Sequence, residues 1–317
     1  MQIFTTHTMF QIIQQLKNNL KELSTHEIME FEVLNPDLLL STYNGALCTF
    51  DTQEYIYRGY KTWIDLAHQL QCKMLTPKES PPHRVLLRFQ KLNKDVSFHN
   101  APTQKEEKYG IKSLFNEIHK NEESGFIHYY TQALEEVSLD KRVRILNLGI
   151  NSGDEFEALL QVANNHTNLN PYNLELVGID FCASAIDAAQ QKFHTYPNIS
   201  FYTHDITQLS TLALGKFDLI ISIGTLQSSN LEYKPLLMDL VQNHLTPQGA
   251  MILAFPNCRW VDGEMIYGAR VKNYPFSEMG LLYSDVIFAK KYLQQKKFRV
   301  RVTGKDYIFV TASSIRK

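Results

Sequence analysis

The pattern of apolar and polar positions changes character along the chain. From Met9 to Leu23, Ile12, Ile13, Leu16, Leu20 and Leu23 recur at helical spacing and predict an amphipathic helix. After Pro36 the runs shorten: Leu38 to Leu40, Ala46 to Phe50 and Tyr55 to Tyr60 read as strands, with Asn44-Gly45 as a turn. Thr62 to Met74 reads as a helix broken off by Pro77, Pro81 and Pro82, and Arg84 to Phe89 as a further strand. The segment from Lys91 to Glu123 is polar, with Pro102 and the charge run Lys105 to Lys108, and a domain boundary is expected there. No function can be read from the first hundred residues.

From Arg142 onward short apolar runs alternate with helical spacing. Strands are expected at Val143 to Leu148, Leu174 to Ile179, Ile199 to Tyr202, Phe217 to Ile223 and Ala250 to Phe255. Helices fall between them at Glu155 to Ala163, Ala183 to Phe193 and Leu236 to Leu245, a rhythm that indicates a parallel, doubly wound sheet. After a helix from Ser284 to Gln295, strands at Phe298 to Val302 and Tyr307 to Thr311 are joined by a turn containing Gly304. That connection is too short for a crossover helix, so the last pair must be antiparallel. The fold class is therefore α/β: a doubly wound, mostly parallel seven-stranded sheet with an antiparallel last strand, preceded by a smaller α+β N-terminal domain. The expected division is 1–110 for the N-terminal domain, 111–141 for a linker and helix, and 142–317 for the main domain, with an insert at 257–283. The N-terminal domain could serve substrate binding or oligomerisation.

Composition narrows the classes of function. Of 317 residues, 44% are apolar and 21% charged, ordinary for a chain that buries a core, and the net charge is −1. Without a basic excess to neutralise phosphates, a nucleic-acid partner is disfavoured. No signal peptide is legible, and the longest apolar runs, such as Leu219 to Ile223, are strand-sized rather than membrane-spanning. Cys48, Cys72, Cys182 and Cys258 form no CxxC pair, and none of the 11 histidines lies three to five residues from another. Reduced thiols in a cytoplasmic protein without a metal site are the expectation.

The chemistry centres on Val143-Arg-Ile-Leu-Asn-Leu-Gly-Ile-Asn-Ser-Gly153, a strand running into a glycine-containing loop and a helix, which aims backbone N–H groups at a ligand. Taken alone, the loop reads equally well as a turn. Asp180 closes the second strand, where a carboxylate can accept both hydroxyls of a ribose, and Asp205 follows the third, where it can accept from an adenine amino group. Three such features in order, each at a strand's carboxyl end, exceed what turns alone require.

Over about Phe126 to Lys317 the chain resembles the class I, Rossmann-like methyltransferases that use S-adenosylmethionine. The resemblance is carried by Ile145 to Gly153, by Val177 to Ala189 and by His204-Asp205-Ile206. It continues through Phe217 to Leu226, Leu245-Thr-Pro-Gln-Gly249 with Met251 to Phe255, and the terminal antiparallel pair. It implies S-adenosylmethionine as cofactor, held by Asn147, Gly149, Asn151, Gly153, Glu155, Asp180, Phe181, Asp205, Ile206, Ile223 and Gly224. Tyr129 and Tyr130, shortly before the first of these segments, are candidates to cover it, with core packing of one of them as the alternative. The chain departs from the family's pattern at Asn147, which replaces an acidic residue, at Asn151 and Gln248, which replace glycines, and at Cys182, a poor helix cap. Asp154-Glu155 resembles the acidic pair of chemotaxis-receptor methyltransferases.

Methyl transfer needs alignment more than strong acid or base, and no catalytic base is named here. Gly224 to Ser229 lies where substrate approaches in the family, with Gln227 as a candidate contact. No Asn/Asp-Pro-Pro-Tyr/Phe motif occurs there, against exocyclic amine methylation of nucleic acid. Trp260, Asp262, Glu264, Tyr267 and Arg270 in the insert offer apolar cover and charged ends, either for substrate or merely for packing. The expected acceptor is a small molecule or a protein or peptide side chain, away from membranes, with self-association left open. Two other readings remain: a scaffold of the same fold without catalysis, and a nicotinamide-dependent oxidoreductase. The second is disfavoured by the missing glycines of GxGxxG.

Overall fold

The computed structural model describes residues 1–39, 42–93, 107, 109–228, 231–257, 259–261, 264–266 and 279–316. The chain divides into two units, Met1–Ser97 with Asp262–Met265, and Phe98–Val261 with Ile266–Lys317.

The first unit contains β1 (Gln2–Phe4), α1 (Met9–Glu22), β2 (Ile28–Leu34), β3 (Leu47–Phe50), β4 (Gln53–Ile56), α2 (Tyr60–Gln69), β5 (Cys72–Ser80) and β6 (Arg84–Lys91). Its sheet has the order β1-β2-β6-β5, with β1 parallel to β2 and the other neighbours antiparallel. A capping box starts α1: the Thr8 hydroxyl accepts from the Gln11 N–H while the Gln11 side chain accepts from the Thr8 N–H. One sheet face is covered by Ile12 and Leu16 of α1 and Trp63 and Leu66 of α2, packed on Phe31, Val85, Leu87 and Phe89. The intervening positions Glu30 and Glu32 point to the opposite face and pair with Arg88 and Arg84.

Three expectations are corrected in this unit. Pro36–Leu38 is a single 3₁₀ turn rather than the start of a strand, because the Asn35 side chain accepts from the Asp37 N–H and tightens it. Tyr60 opens α2 instead of ending a strand. The helix expected up to Met74 stops at Gln69, since Gln71 takes φ +56°, and Cys72–Ser80 becomes the edge strand β5. Pro77 sits where the ladder to β6 shifts register between Leu75 and Lys78, so its missing N–H interrupts nothing.

The second unit contains α3 (Ser124–Glu136), β7 (Arg144–Leu148), α4 (Asp154–Asn165), β8 (Glu175–Asp180), α5 (Ala183–Lys192), β9 (Ile199–Thr203), β10 (Phe217–Ile223) and α6 (Tyr233–Asp239). It continues through β11 (Leu245–Pro256), β12 (Arg259–Val261), α7 (Met279–Gln295), β14 (Phe298–Gly304) and β15 (Tyr307–Ser314); the short β13 (Glu264–Ile266) has Glu264 and Met265 assigned to the first unit. The seven-stranded sheet runs β14-β15-β11-β10-β7-β8-β9, and β15 alone is antiparallel to its neighbours. It lies between β14 and β11, so the reversed strand is internal rather than at the sheet's edge.

Both faces of this sheet are buried, which explains the continuous apolar runs of its strands. Phe126 and Tyr130 of α3, Phe156 and Leu159 of α4 and Ile186 of α5 pack with Ile145, Leu176 and Phe309 on one face. Leu237 of α6 and Ala289 and Leu293 of α7 pack with Leu146, Ile179 and Val310 on the other. The segment 111–141, read from sequence as linker and helix, thus places Phe126, Tyr130, Leu134 and Val137 fully inside this core. The helix expected at Leu236 begins at Tyr233 and ends in a wider turn at Leu240–His244. No helix among the described residues is long and apolar enough to cross a membrane.

Candidate functional site

Strands β7 and β10 are neighbours whose following helices, α4 and α6, lie on opposite faces of the sheet. Such a reversal opens a crevice at the carboxyl ends of the strands, where ligands bind in open α/β folds. Gly149 and Gly224 open the two loops that flank the crevice, with φ of +76° and +74°. Gly149 also lacks room for a side chain: a Cβ there would lie 1.8 Å from Thr225 Oγ1. The two loops therefore pack backbone against side chain, which only glycine allows.

The first loop is held from below. The N–H groups of Gly149 and Ile150 both donate to the Ile179 carbonyl, at 2.8 and 3.1 Å. Asn151 takes φ +48°, a left-handed geometry asparagine tolerates, and its side-chain amide donates to the Tyr109 carbonyl at 2.7 Å. Gly153, at φ +94°, caps α4; a Cβ there would meet the Phe193 ring at 2.4 Å.

Asp180 at the end of β8 joins the neighbouring loops: Oδ2 accepts from the Asn151 N–H and Oδ1 from the Cys182 N–H, each at 2.9 Å. Burial raises the Asp180 pKa, although the backbone N–H groups oppose the shift. A carboxylate offers about four acceptor positions, so two remain for a pair of ligand hydroxyls. Phe181 beside it is 57% exposed, a free aromatic face at the crevice. Asp205 after β9 uses Oδ1 to accept from the N–H and hydroxyl of Thr207, both at 2.8 Å, which leaves Oδ2 for a ligand. Ile206 and Ile223 are buried beneath.

Asn147 is the most telling residue. It is fully buried on β7, and neither its amide nitrogen nor its carbonyl oxygen has a partner. Leaving such a group unsatisfied costs about 1–3 kcal/mol, which a bound polar group can relieve. The first turn of α4 carries Asp154, Glu155 and Glu157. Lys192 pairs with Asp154 at 3.6 Å and with Glu157 at 2.7 Å, so these two carboxylates are answered within the fold.

Some candidates fall elsewhere. Glu155, expected at the cofactor, is wholly buried and bound by Lys120 Nζ at 2.7 Å, while the Tyr130 hydroxyl donates to its backbone carbonyl. Burial raises the Glu155 pKa against the pull of Lys120. Burial alone would lower the Lys120 pKa, but the charges of Glu155 and Asp154 outweigh it and raise it. Lys120 is a residue that sequence reasoning missed; a lone lysine in a polar segment carries no signal of its partner. Tyr130 stacks on Phe126 in the core, and the half-buried Tyr129 makes an edge contact with His128. Gln227 donates to Asp285 Oδ2 of α7 at 2.9 Å, a second partnership the sequence did not disclose. Cys182 makes no side-chain cap to α5; Glu107 and Ser184 lie beside it. Trp260 and Glu264 belong to the backbones of β12 and β13. Asp262, Tyr267 and Arg270 lie outside the described residues.

The fold and this crevice are those of an open α/β, Rossmann-like protein with a ligand site at the carboxyl edge of its sheet. Residues 139–300 match the methyltransferase domain family, a little over half the chain, and the protein belongs to that family. It is a class I methyltransferase that uses S-adenosylmethionine, which sets aside the nicotinamide reading. Similar solved structures include the N-methyltransferase NodS of Bradyrhizobium japonicum in complex with S-adenosyl-L-homocysteine. It is 18% identical, with 62% of this chain and 91% of that chain covered and a TM-score of 0.44. The precorrin-6y C5,15-methyltransferase of Geobacter metallireducens is 11% identical over 59% of this chain and 89% of that one, with a TM-score of 0.40. No curated protein matches the sequence.

Proposed function

We propose that the protein methylates a small molecule or a peptide side chain, and that it works in the cytoplasm. S-adenosylmethionine supplies, when bound, an electrophilic methyl group on a sulfonium. Asp180 accepts the ribose hydroxyls, Asp205 accepts from the adenine amino group, and Phe181 and Ile206 flank the base. Gly149 lets the backbone approach closely, with Asn151 and Gly153 shaping the same loop. Asn147 meets the amino-acid end, beside the acidic first turn of α4. Ile223 and Gly224 lead to the acceptor side, where Gln227 stands. Tyr129 is kept as a cover for the cofactor; Glu155 acts indirectly, by fixing Lys120. The insert residues Trp260, Asp262, Glu264, Tyr267 and Arg270 are kept as acceptor contacts.

The observation that carries this reading is the Asp180 carboxylate, tied by two backbone N–H groups between the β7 and β8 loops with acceptor capacity left over. Calorimetric titration tests it. S-adenosylhomocysteine should bind in the micromolar range, NAD should not compete, and Asp180→Ala should weaken the binding. NAD preferred over S-adenosylhomocysteine would sink the reading. Cofactor binding with no methyl transfer across a broad panel of metabolites and peptides would favour a scaffold role. The near-zero net charge argues against nucleic acid as the acceptor.

A further inference from the structure

The proposed cofactor crevice leaves the nature of the acceptor open, and the pair Gln227–Asp285 bears on it. Gln227 lies in the loop that Gly224 opens beside the crevice, two residues past Thr225, whose side chain lies against Gly149, and its amide reaches Asp285. Asp285 belongs to α7, is half-buried, and has no ion-pair partner among the described residues. Tyr233 donates its hydroxyl to the Asp285 backbone carbonyl at 3.1 Å and so fixes the residue without using its carboxylate. Lys234, one residue on, sits over the Phe288 ring at 5.3 Å rather than on Asp285.

A carboxylate only accepts hydrogen bonds, so the amide end of Gln227 that faces it must be the NH₂ group. That assignment leaves Gln227 Oε1 and Asp285 Oδ1 as the remaining functions of the pair. Both are acceptors and one is anionic. A ligand completing them must donate hydrogen bonds and is favoured by positive charge; a carboxylate acceptor would be repelled.

We propose that Asp285 selects an amine nitrogen as the methyl acceptor, with Gln227 as its positioning residue; this rests on the cofactor reading above. In the step, the lone pair of the neutral amine forms the new N–C bond while the C–S bond breaks and its electrons stay on sulfur. Positive charge thus moves from sulfur to nitrogen, beside the Asp285 carboxylate, which stabilises it as it develops. The N-methylammonium product then releases its proton to water.

The test compares two probes by calorimetry: S-adenosylhomocysteine, and sinefungin, whose amine replaces the sulfonium methyl. The wild-type protein should bind sinefungin at least tenfold more tightly than S-adenosylhomocysteine. Asp285→Asn, isosteric and without effect on the Tyr233 bond, should remove at least fivefold of that preference while S-adenosylhomocysteine affinity stays within twofold. In parallel, methyl transfer is followed with a panel of primary amines and matched alcohols, thiols and carboxylates. Turnover of amines, with a loss of at least 100-fold in Asp285→Asn, supports the assignment. An unchanged sinefungin preference overturns it, as does turnover confined to non-amine acceptors; if no panel member reacts, the sinefungin comparison decides. Absence of S-adenosylhomocysteine binding is a separate result that overturns the cofactor reading and this assignment with it.

Discussion

Two buried polar centres lie on the same side of the large sheet, and they are built on opposite principles. At one, Glu155 is wholly buried: Lys120 answers its Oε1, the Tyr130 hydroxyl its backbone carbonyl, and the Phe126 ring lies near the ammonium, while Oε2 has no partner. At the other, Asn147 is equally buried and answered by nothing. Lys120 balances the charge of the first, whereas the neutral Asn147 amide leaves both its donor and its acceptor unused.

The largest test of this contrast breaks the closed centre. Lys120→Met should cost about 3–5 kcal/mol in urea unfolding, because it strands the Glu155 carboxylate in the core. Lys120→Met with Glu155→Leu should recover most of the loss, and S-adenosylhomocysteine should still stabilise that double variant. A loss below about 1 kcal/mol for the single change would mean that the pair is not closed to water. The next test addresses the open centre. Asp180→Ala should reduce S-adenosylhomocysteine affinity by about 1–3 kcal/mol in titration, with a loss in urea stability smaller than that of Lys120→Met, from the two backbone N–H groups left unpaired.

Smaller still is Asn147→Asp. A carboxylate facing the amino-acid end of the cofactor should keep or tighten S-adenosylhomocysteine binding, by up to about tenfold. A large loss with the fold intact would show that the Asn147 N–H groups donate to the cofactor carboxylate instead. The smallest effect expected is in pH dependence. Lys120 has a raised pKa when folded, so its contribution is complete below the unfolded lysine value of about 10.4 and fades only as pH rises through the folded one. The stability gap between wild type and the double variant should therefore be level between pH 8 and about 10, and a steep change within that range would contradict a buried, paired ammonium.

The succession of strands in the large unit was legible because helices at regular spacing interrupt most of the apolar runs, and because a turn around Gly304 permits only an antiparallel return. Gly149, Asp180 and Asp205 were legible for a related reason: their chemistry sits at strand ends that the pattern itself locates. What escaped was decided across distance. Glu155 reads as a cofactor contact until Lys120, 35 residues upstream, is seen to claim it. Gln227 reads as a lone amide until Asp285 arrives from a helix 58 residues on. In the first unit, Met29, Phe31 and Val33 alternate with Glu30 and Glu32, yet β2 was overlooked beside longer runs. The early end of α2 depended on Gln71 adopting a left-handed backbone that glutamine seldom takes.

The internal position of β15 has a consequence for how the protein is made. Residues 307–314 leave the ribosome after every other strand of their sheet, yet they form the rung between β11 and β14. Until they emerge, the nascent sheet carries two unsatisfied edges, and β14 has no neighbour at all. Assembly of this half of the molecule therefore closes from the inside and in a single late event. A chain that stopped short of residue 307 would leave β14 unpaired and the edge of β11 open, exposed to pairing with other chains.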